Sequence, residues 1–490
     1  MQLVSNNFIN SITTLRGITN ATRDINLSLD RLSTGKTINK ASDSPSVVSQ
    51  VDKFEAEILS TSRASKNVAQ SISLLDVAEE AISEASNLLD SLSELAVRGE
   101  DRSLSSTDRS ITVEEFATTL GEIESLALNT AFGYNRLLNG DFVGRLFQNG
   151  PALGNVVSVT IGSLNPASLG AYRSAGPTRA ALSAASTAGV NTTTASEDII
   201  ITSNGTSATV DVAAEDSALD VAAKINAVTY STSVSAEATT FAHLFSNSGS
   251  LETYTVKING YSTSSFTISS SDVSDAVAKL NLISASTGVT ATATTDNKVL
   301  LHDTSGEDIT IENDSSGTNL NVTAIQSDGT SDQGNHVSLA DGTASGNDST
   351  RVIGSISFTS HLGFSLSQSG DSNLGYATSG IAQFSNLNSV SLSSDNESRI
   401  AASVVAAAQE QLASVKGDIS SNQSRLEASQ SILISNLDSK REALSKLEDV
   451  DFALESAKLA KAILLREINT ALLSQINMSS GLVLKLISDN

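Results

Sequence analysis

The stretch "DRLSTGKTINKASDSP", Asp30 to Pro45, decides the fold, because its Gly35-Lys36-Thr37 can be read in two ways. A phosphate loop also ends in G-K-[ST], but it needs a preceding strand and an earlier glycine whose backbone N–H groups cradle the phosphate. Asp30 occupies that glycine's place, where its carboxylate repels phosphate, and the residues before it follow a helical pattern. The stretch therefore reads as a joint between two helices. Gly35 permits a positive φ at a helix end, Ser42, Asp43 and Ser44 are good N-cap residues, and Pro45 pre-sets the first turn of the next helix.

Working outward, Phe8, Ser11, Leu15, Ile18, Thr22, Ile25, Leu29 and Leu32 alternate by three and four, the repeat of a coiled-coil seam. The pattern restarts after the joint at Val51, Phe54, Ile58, Thr61, Ser65, Val68, Ile72 and Leu75, and Ile82, Leu89 and Leu92 prolong it. Near the other end, Leu412, Val415, Ile419, Asn422, Leu426, Ser429 and Leu433 form one heptad face. Leu444, Leu447, Val450, Leu454, Ala457, Leu464, Ile468 and Leu472 form a second. Several of these positions are small or polar, which weakens a seam while fixing its register. The outermost pieces, 1–34 and 452–490, are too short to bury both apolar faces, and isolated helices of that length are marginal in water. They are expected to order by stacking on other copies of the chain.

Between about 140 and 380 the texture changes to Ser, Thr, Gly, Asn and Asp with short alternating strands, such as "VVSVTIGS" (156–163) and "YTVKINGYSTSSFTIS" (254–269). "SALDVAAKINAVTYSTSVSAEAT" (217–239) aligns without gaps on "DVSDAVAKLNLISASTGVTATAT" (272–294), placing Asn226 on Asn281. Each copy reads as strands, a short helix and a further strand, with Asn204-Gly205 and Asn259-Gly260 as preceding turns. "DNKVLLHDTSGEDITIEN" (296–313) reads as a hairpin continuing the second copy.

Net charge is −24, concentrated in residues 171–380, where about three acidic groups stand for each basic one, while both ends are close to neutral. That excludes nucleic acid as a partner, since it needs a clustered positive surface. The chain has no Cys, hence no disulfide and no thiolate site. Its start lacks a signal-peptide pattern, and no apolar run reaches membrane-spanning length. The histidines His243, His302, His336 and His361 are scattered, and "HDTSGED" lacks calcium-loop spacing, so it reads as a solvated turn. No catalytic residue, metal ligand or cofactor site is expected, and the protein does not read as an enzyme.

"LDRLSTGKTINKASDSPSVVSQ" (29–50) resembles the N-terminal segment of bacterial flagellins, L-x-R-L-[SA]-[ST]-G-x-x-I-N-x-A-x-D-D-x-A. "AFGYNRLLNGDF" (131–142) and "FQNG" (147–150) resemble further motifs of that family. "VDFALESAKLAKAILLREINTALLSQINMSSGLVLKLI" (450–487) is similar to its tail, and the repeats resemble its short outer-domain modules. Pro45 departs from the family and is similar to the hook–filament junction proteins, which gives the alternative reading. "SLSELA" (91–96) stands where the family has the R-V-R-E-L-A recognised by the vertebrate innate receptor. Glu94 and Leu95 persist, Ser91 and Ser93 replace arginines, and a poor agonist is implied.

The expected fold is α+β and multi-domain: N- and C-terminal helices pair as a coiled-coil or helical bundle, with mostly β, Ser/Thr-rich domains inserted in the middle. The expected domains are 1–45 with 451–490 (inner core), 46–170 with 385–450 (helical shell with a β-hairpin region), and 171–384 (outer region, with repeat modules at about 196–240 and 252–314). The resemblance implies a structural subunit that self-polymerises into the extracellular flagellar filament used for swimming. Leu15, Ile18, Ile25, Leu29, Leu32, Val450, Leu454, Leu464, Ile468 and Leu472 would pack between subunits, and Arg31 and Asp43 would anchor the joint. Implied partners are further copies in a helical homo-oligomer, an export chaperone on the tail, the flagellar type III export apparatus, and hook-associated and cap proteins.

Overall fold

The computed structural model describes residues 2–152, 154–327, 329, 332–342, 346–369 and 375–488, with terminal side chains described from Phe8 to Ser479. Long helices occupy both ends: α1 (Gln2–Thr34), α2 (Pro45–Gly99) and α3 (Ser106–Asn129), then α6 (Asp395–Glu448) and α7 (Phe452–Ser488). Two short helices, α4 (Ala218–Ala227) and α5 (Ser274–Asn281), lie among the strands of the middle, each followed by a single helical turn, Thr229–Thr232 and Ser284–Thr287. Pro45 begins α2 as its fixed φ allows, and the Ser44 carbonyl accepts the Val47 and Val48 N–H groups. Ser105 caps α3 by accepting the Asp108 N–H, and Ser217 with Asp220 forms a capping box on α4. The helical ends and β-rich middle form the expected α+β architecture.

One compact unit comprises 1–75, 145–159 and 421–490. In it α1 and α7 run antiparallel, as the pairing of Ser28 with Glu455 and of Gly17 with Asn469 requires. Lys440 of α6 reaches Glu57 and Thr61 of α2, and Leu426 and Leu433 are buried. Strand Arg145–Gln148 pairs with Val156–Val159.

The second unit comprises 76–144 and 160–420. Ile82, Leu89 and Leu92 of α2, Phe116 and Ile123 of α3, and Leu412 and Ile419 of α6 supply its helical core. Its β-rich part centres on strand Ser235–Phe245. One edge pairs with Val299–Asp303, and the other pairs in succession with Ser355–Ser360 and Leu320–Ile325.

The two repeats adopt the same local structure. Asn204-Gly205 and Asn259-Gly260 both take positive φ, the requirement of a tight hairpin turn. The Asn226 side chain donates to the Ala236 carbonyl (2.9 Å) and accepts its N–H (2.8 Å). Asn281 does the same to Ala291, at 2.9 and 2.8 Å. Each asparagine thus ties its helix to the following strand as a peptide group would.

The hairpin expected over 296–313 does not form. Val299–Asp303 pairs with Val289–Ala293 and Ser235–Phe245, whereas Ile309–Asn313 pairs with Val256–Ile258 and Ser349–Val352. The two strands belong to different sheets, and each has a hydrogen-bonded neighbour on both edges. The turn between them is solvated only in part: Thr304, Ser305 and Glu307 are exposed, whereas Asp303 and Asp308 are buried. Asp303 accepts from Ser305, and Asp308 accepts from Arg351 (2.9 Å) and Asn191 (2.9 Å). Burial pushes the Asp308 pKa up, and the Arg351 contact offsets only part of that.

Candidate functional site

Gly35-Lys36-Thr37 lies against the connection between α6 and α7. Gly35 adopts φ 72°, so α1 can end and the chain can turn. Lys36 and Asp449 form a single antiparallel bridge. Thr37 donates its N–H to the Glu448 carbonyl (2.6 Å) and its hydroxyl to the Asp449 carbonyl (2.9 Å), while Val450 N–H donates to the Gly35 carbonyl (3.0 Å). Lys36 also pairs with the buried Glu448 side chain. This tripeptide is a clasp between the two chain ends. Asp43 accepts the N–H groups of Asn39 (3.0 Å) and Lys40 (2.9 Å), which hold its carboxyl below the usual range and shape the loop before α2.

Arg31 reaches Glu455 at 3.6 Å. The Glu455 side chain is only 4% exposed, accepts from Ser28 (2.8 Å), and pairs with Lys458 (2.9 Å). Burial alone would raise its pKa, but Lys458, Ser28 and Arg31 outweigh burial and hold it below the usual value.

The seam between α1 and α7 differs from the one expected. Its α1 side follows Thr14, Ile18, Ala21, Ile25, Ser28 and Leu32, and its α7 side follows Glu455, Ala462, Asn469 and Ile476 at heptad spacing. Both registers share Ile18, Ile25 and Leu32, so apolar spacing alone does not separate them. Small residues decide it: Ala21, Ser28 and Ala462 are buried, and a Cβ at Gly17 would sit 2.8 Å from the Asn469 amide. Close approach of the helices requires those positions inside. Of the residues expected to pack between subunits, Ile25 and Val450 are buried and Ile18 and Leu32 half-buried. Leu15, Leu29, Leu454, Leu464, Ile468 and Leu472 are exposed, Leu464 at 58% and Ile468 at 54%. Phe8, Ile9, Phe452 and Leu465 join them as an uncovered apolar surface on the terminal pair.

On α2, Ser91 and Glu94 are exposed, and Ser93 and Leu95 are half-buried. His302 is buried, stacked on Phe241 at 4.2 Å and in contact with Arg102. Burial, then the Arg102 charge, push its pKa down to about 3. Among the described residues no group of three or more His, Cys, Asp or Glu could hold a metal, and no helix is long and apolar enough to cross a membrane.

Sequence reasoning had no role for Glu455, Ser28 or the Glu448–Asp449 connection. The available signal was the heptad spacing of Glu448, Glu455 and Ala462, which places an ionisable group inside a seam.

The model of the bacterial flagellin N-terminal helical region matches residues 4–142, and that of the C-terminal helical region matches 402–487. A B-type flagellin of Pseudomonas aeruginosa is 27% identical over 491 residues, covering 99% of this chain and 100% of that protein. Polar flagellin F of Vibrio parahaemolyticus is 30% identical over 164 residues, and flagellin B of Vibrio cholerae is 31% identical over 164. These two matches cover 34% of this chain and 44% of each Vibrio protein. Among solved structures, FliC from Burkholderia pseudomallei matches 32% of this chain and 63% of its own at 26% identity, with a TM-score of 0.22. FlgL from Xanthomonas campestris matches 81% of this chain and 99% of its own at 14% identity, with a TM-score of 0.31.

Proposed function

We infer, for a chain that belongs to the bacterial flagellin family, that the uncovered apolar surface of α1 and α7 is what other copies pack against when it polymerises. The protein is a flagellar filament subunit from a family of structural proteins rather than enzymes. The observation that carries the reading is the division of labour on the terminal pair. Small and polar residues, interspersed with Ile18, Ile25 and Leu32, face the partner helix within the chain, while further large apolar ones such as Leu29, Leu464 and Ile468 face outward. Covering each large apolar side chain contributes roughly 1.5–3 kcal/mol before ordering entropy is subtracted.

On this reading the terminal pair, 1–45 with 451–490, forms the inner core of an extracellular swimming filament. Residues 46–170 with 385–450 form a shell around it, and 171–384 project outward. An export chaperone covers the same α7 surface until the chain leaves through the type III apparatus, and hook-associated and cap proteins abut the ends of the polymer. The serines at 91 and 93 cannot supply bidentate guanidinium contacts, so the chain is a weak agonist of the innate flagellin receptor.

The test is electron microscopy of purified chain, dissociated by heat and returned to physiological salt with short filament seeds. Long uniform tubes are expected. Monomers or short caps that persist despite seeding would overturn the filament reading.

A further inference from the structure

We propose that Asn204 is a site of spontaneous deamidation, singled out by the structure from four Asn-Gly pairs in the chain. Those pairs are Asn139-Gly140, Asn149-Gly150, Asn204-Gly205 and Asn259-Gly260. Asn-Gly is the dipeptide most prone to ring closure, because glycine leaves the attacking backbone nitrogen unhindered. What separates the four is the side-chain amide that must be expelled.

Three of the amides are engaged. Asn139 donates to the Asp141 carboxylate (2.6 Å) and accepts the Asp141 N–H (3.2 Å). Asn149 donates to the Ser429 hydroxyl (3.3 Å), beside a buried Gly150 that is followed by Pro151. Asn259 donates to the Thr287 carbonyl (3.0 Å) and accepts the Thr310 N–H (2.8 Å). Asn204 has no side-chain hydrogen bond among the described residues, and both it and Gly205 are exposed. The comparison with Asn259 is the sharpest, since the two stand at equivalent repeat positions with nearly equal backbone, φ 49° and 48°.

In the reaction the Gly205 backbone nitrogen attacks the Asn204 side-chain carbonyl carbon and forms a C–N bond. The carbonyl carbon releases its amide as ammonia, which takes up the proton lost by Gly205. Water then opens the resulting succinimide at one carbonyl or the other, giving aspartate or isoaspartate. Ring closure requires Asn204 to leave its turn conformation, which an exposed hairpin tip does readily through local opening. At Asn259 two side-chain hydrogen bonds must break as well. The product carries a new negative charge, and the isoaspartyl form lengthens the backbone inside a two-residue turn. It therefore loosens the hairpin Ile199–Ser203/Thr206–Val210, whose second strand lies at a sheet edge.

The test incubates the full folded chain in mildly alkaline buffer at physiological temperature. Peptide mass spectrometry follows each of the four sites, with isoaspartyl methyltransferase labelling and a parallel sample in urea. In the folded chain Asn204 is expected to convert at least ~10-fold faster than Asn259, with both aspartate and isoaspartate formed, and in urea the four rates converge. Equal rates at Asn204 and Asn259 in the folded chain would overturn the proposal, as would a product lacking isoaspartate.

Discussion

Ser28 and Glu455 meet across the antiparallel terminal helices, the serine hydroxyl donating to the buried carboxylate at 2.8 Å. With Lys458 and Arg31 beside it, this carboxylate is a charge placed inside a seam of small residues. Its folded pKa lies below the ordinary 4.5, so its charge stabilises the pair above that value. The contribution is lost as pH falls from 4.5 through the depressed folded value. Hydrogen exchange along 14–32 and 455–476, corrected for intrinsic rates, is expected to accelerate over that acidic window. Glu455→Gln lowers the stability of the pair by about 1–3 kcal/mol at neutral pH and flattens the acid dependence.

Folding and assembly use different faces of α7 on the proposed reading, so substitutions separate them. Replacing Leu464, Ile468 and Leu472 with serine leaves the thermal midpoint of the monomer nearly unchanged, since exposed substitutions usually act within about 0.5 kcal/mol. Seeded filament growth is expected to stop. Ala21→Leu acts first on the monomer, overpacking the seam by about 1–3 kcal/mol. Calorimetry of monomer and electron microscopy of seeded samples read the two effects; equal monomer destabilisation by both variants would refute the division.

The clasp at the chain ends depends on Gly35. Its φ of 72° is one that a Cβ disfavours, so Gly35→Ala costs about 1–2 kcal/mol although no neighbouring atom obstructs the new methyl group closely. The Thr37–Glu448 and Val450–Gly35 hydrogen bonds are expected to exchange faster in this variant, with the exchange of Ser235–Phe245 unchanged. A variant with wild-type exchange at Thr37 and Val450 would show that the joint does not need the left-handed conformation.

Helical ends, the joint, a β-rich middle and a two-copy repeat were legible because each rests on local signals: spacing, Gly and Pro placement, and self-alignment. The seam register was not, since Leu15 and Thr14 fit an alternating 3-4 count equally well. Only the partner helix, with Ala462 and Asn469 at its closest approach, selects the small residues. The 296–313 segment misled for a related reason. Two strands joined by five residues usually pair with each other, but here both edges of each are taken by strands distant in sequence or by strands of another sheet. Glu455 lies within the tail segment that carries the family resemblance, yet its burial depends on Arg31 and Ser28, which lie at the other end of the chain.

The equivalence of the two repeats makes a paired prediction possible. Asn226 and Asn281 each replace a missing peptide group, linking a helix to the strand that begins after a single helical turn. Alanine at either position removes both hydrogen bonds and leaves the facing N–H of Ala236 or Ala291 without its partner. The expected loss is about 1–2 kcal/mol in each case, because both side chains reach the surface and water recovers part of the cost. Aspartate keeps the acceptor but loses the donor, so it is expected to fall between wild type and alanine. The effects should also be local: Asn226→Ala accelerates exchange at Ala236 and its neighbours, and Asn281→Ala does so at Ala291. Additive losses in the double variant would show two modules that fold independently; a shortfall or excess beyond about 0.5 kcal/mol would mean that the strands they share with Ser235–Phe245 couple them.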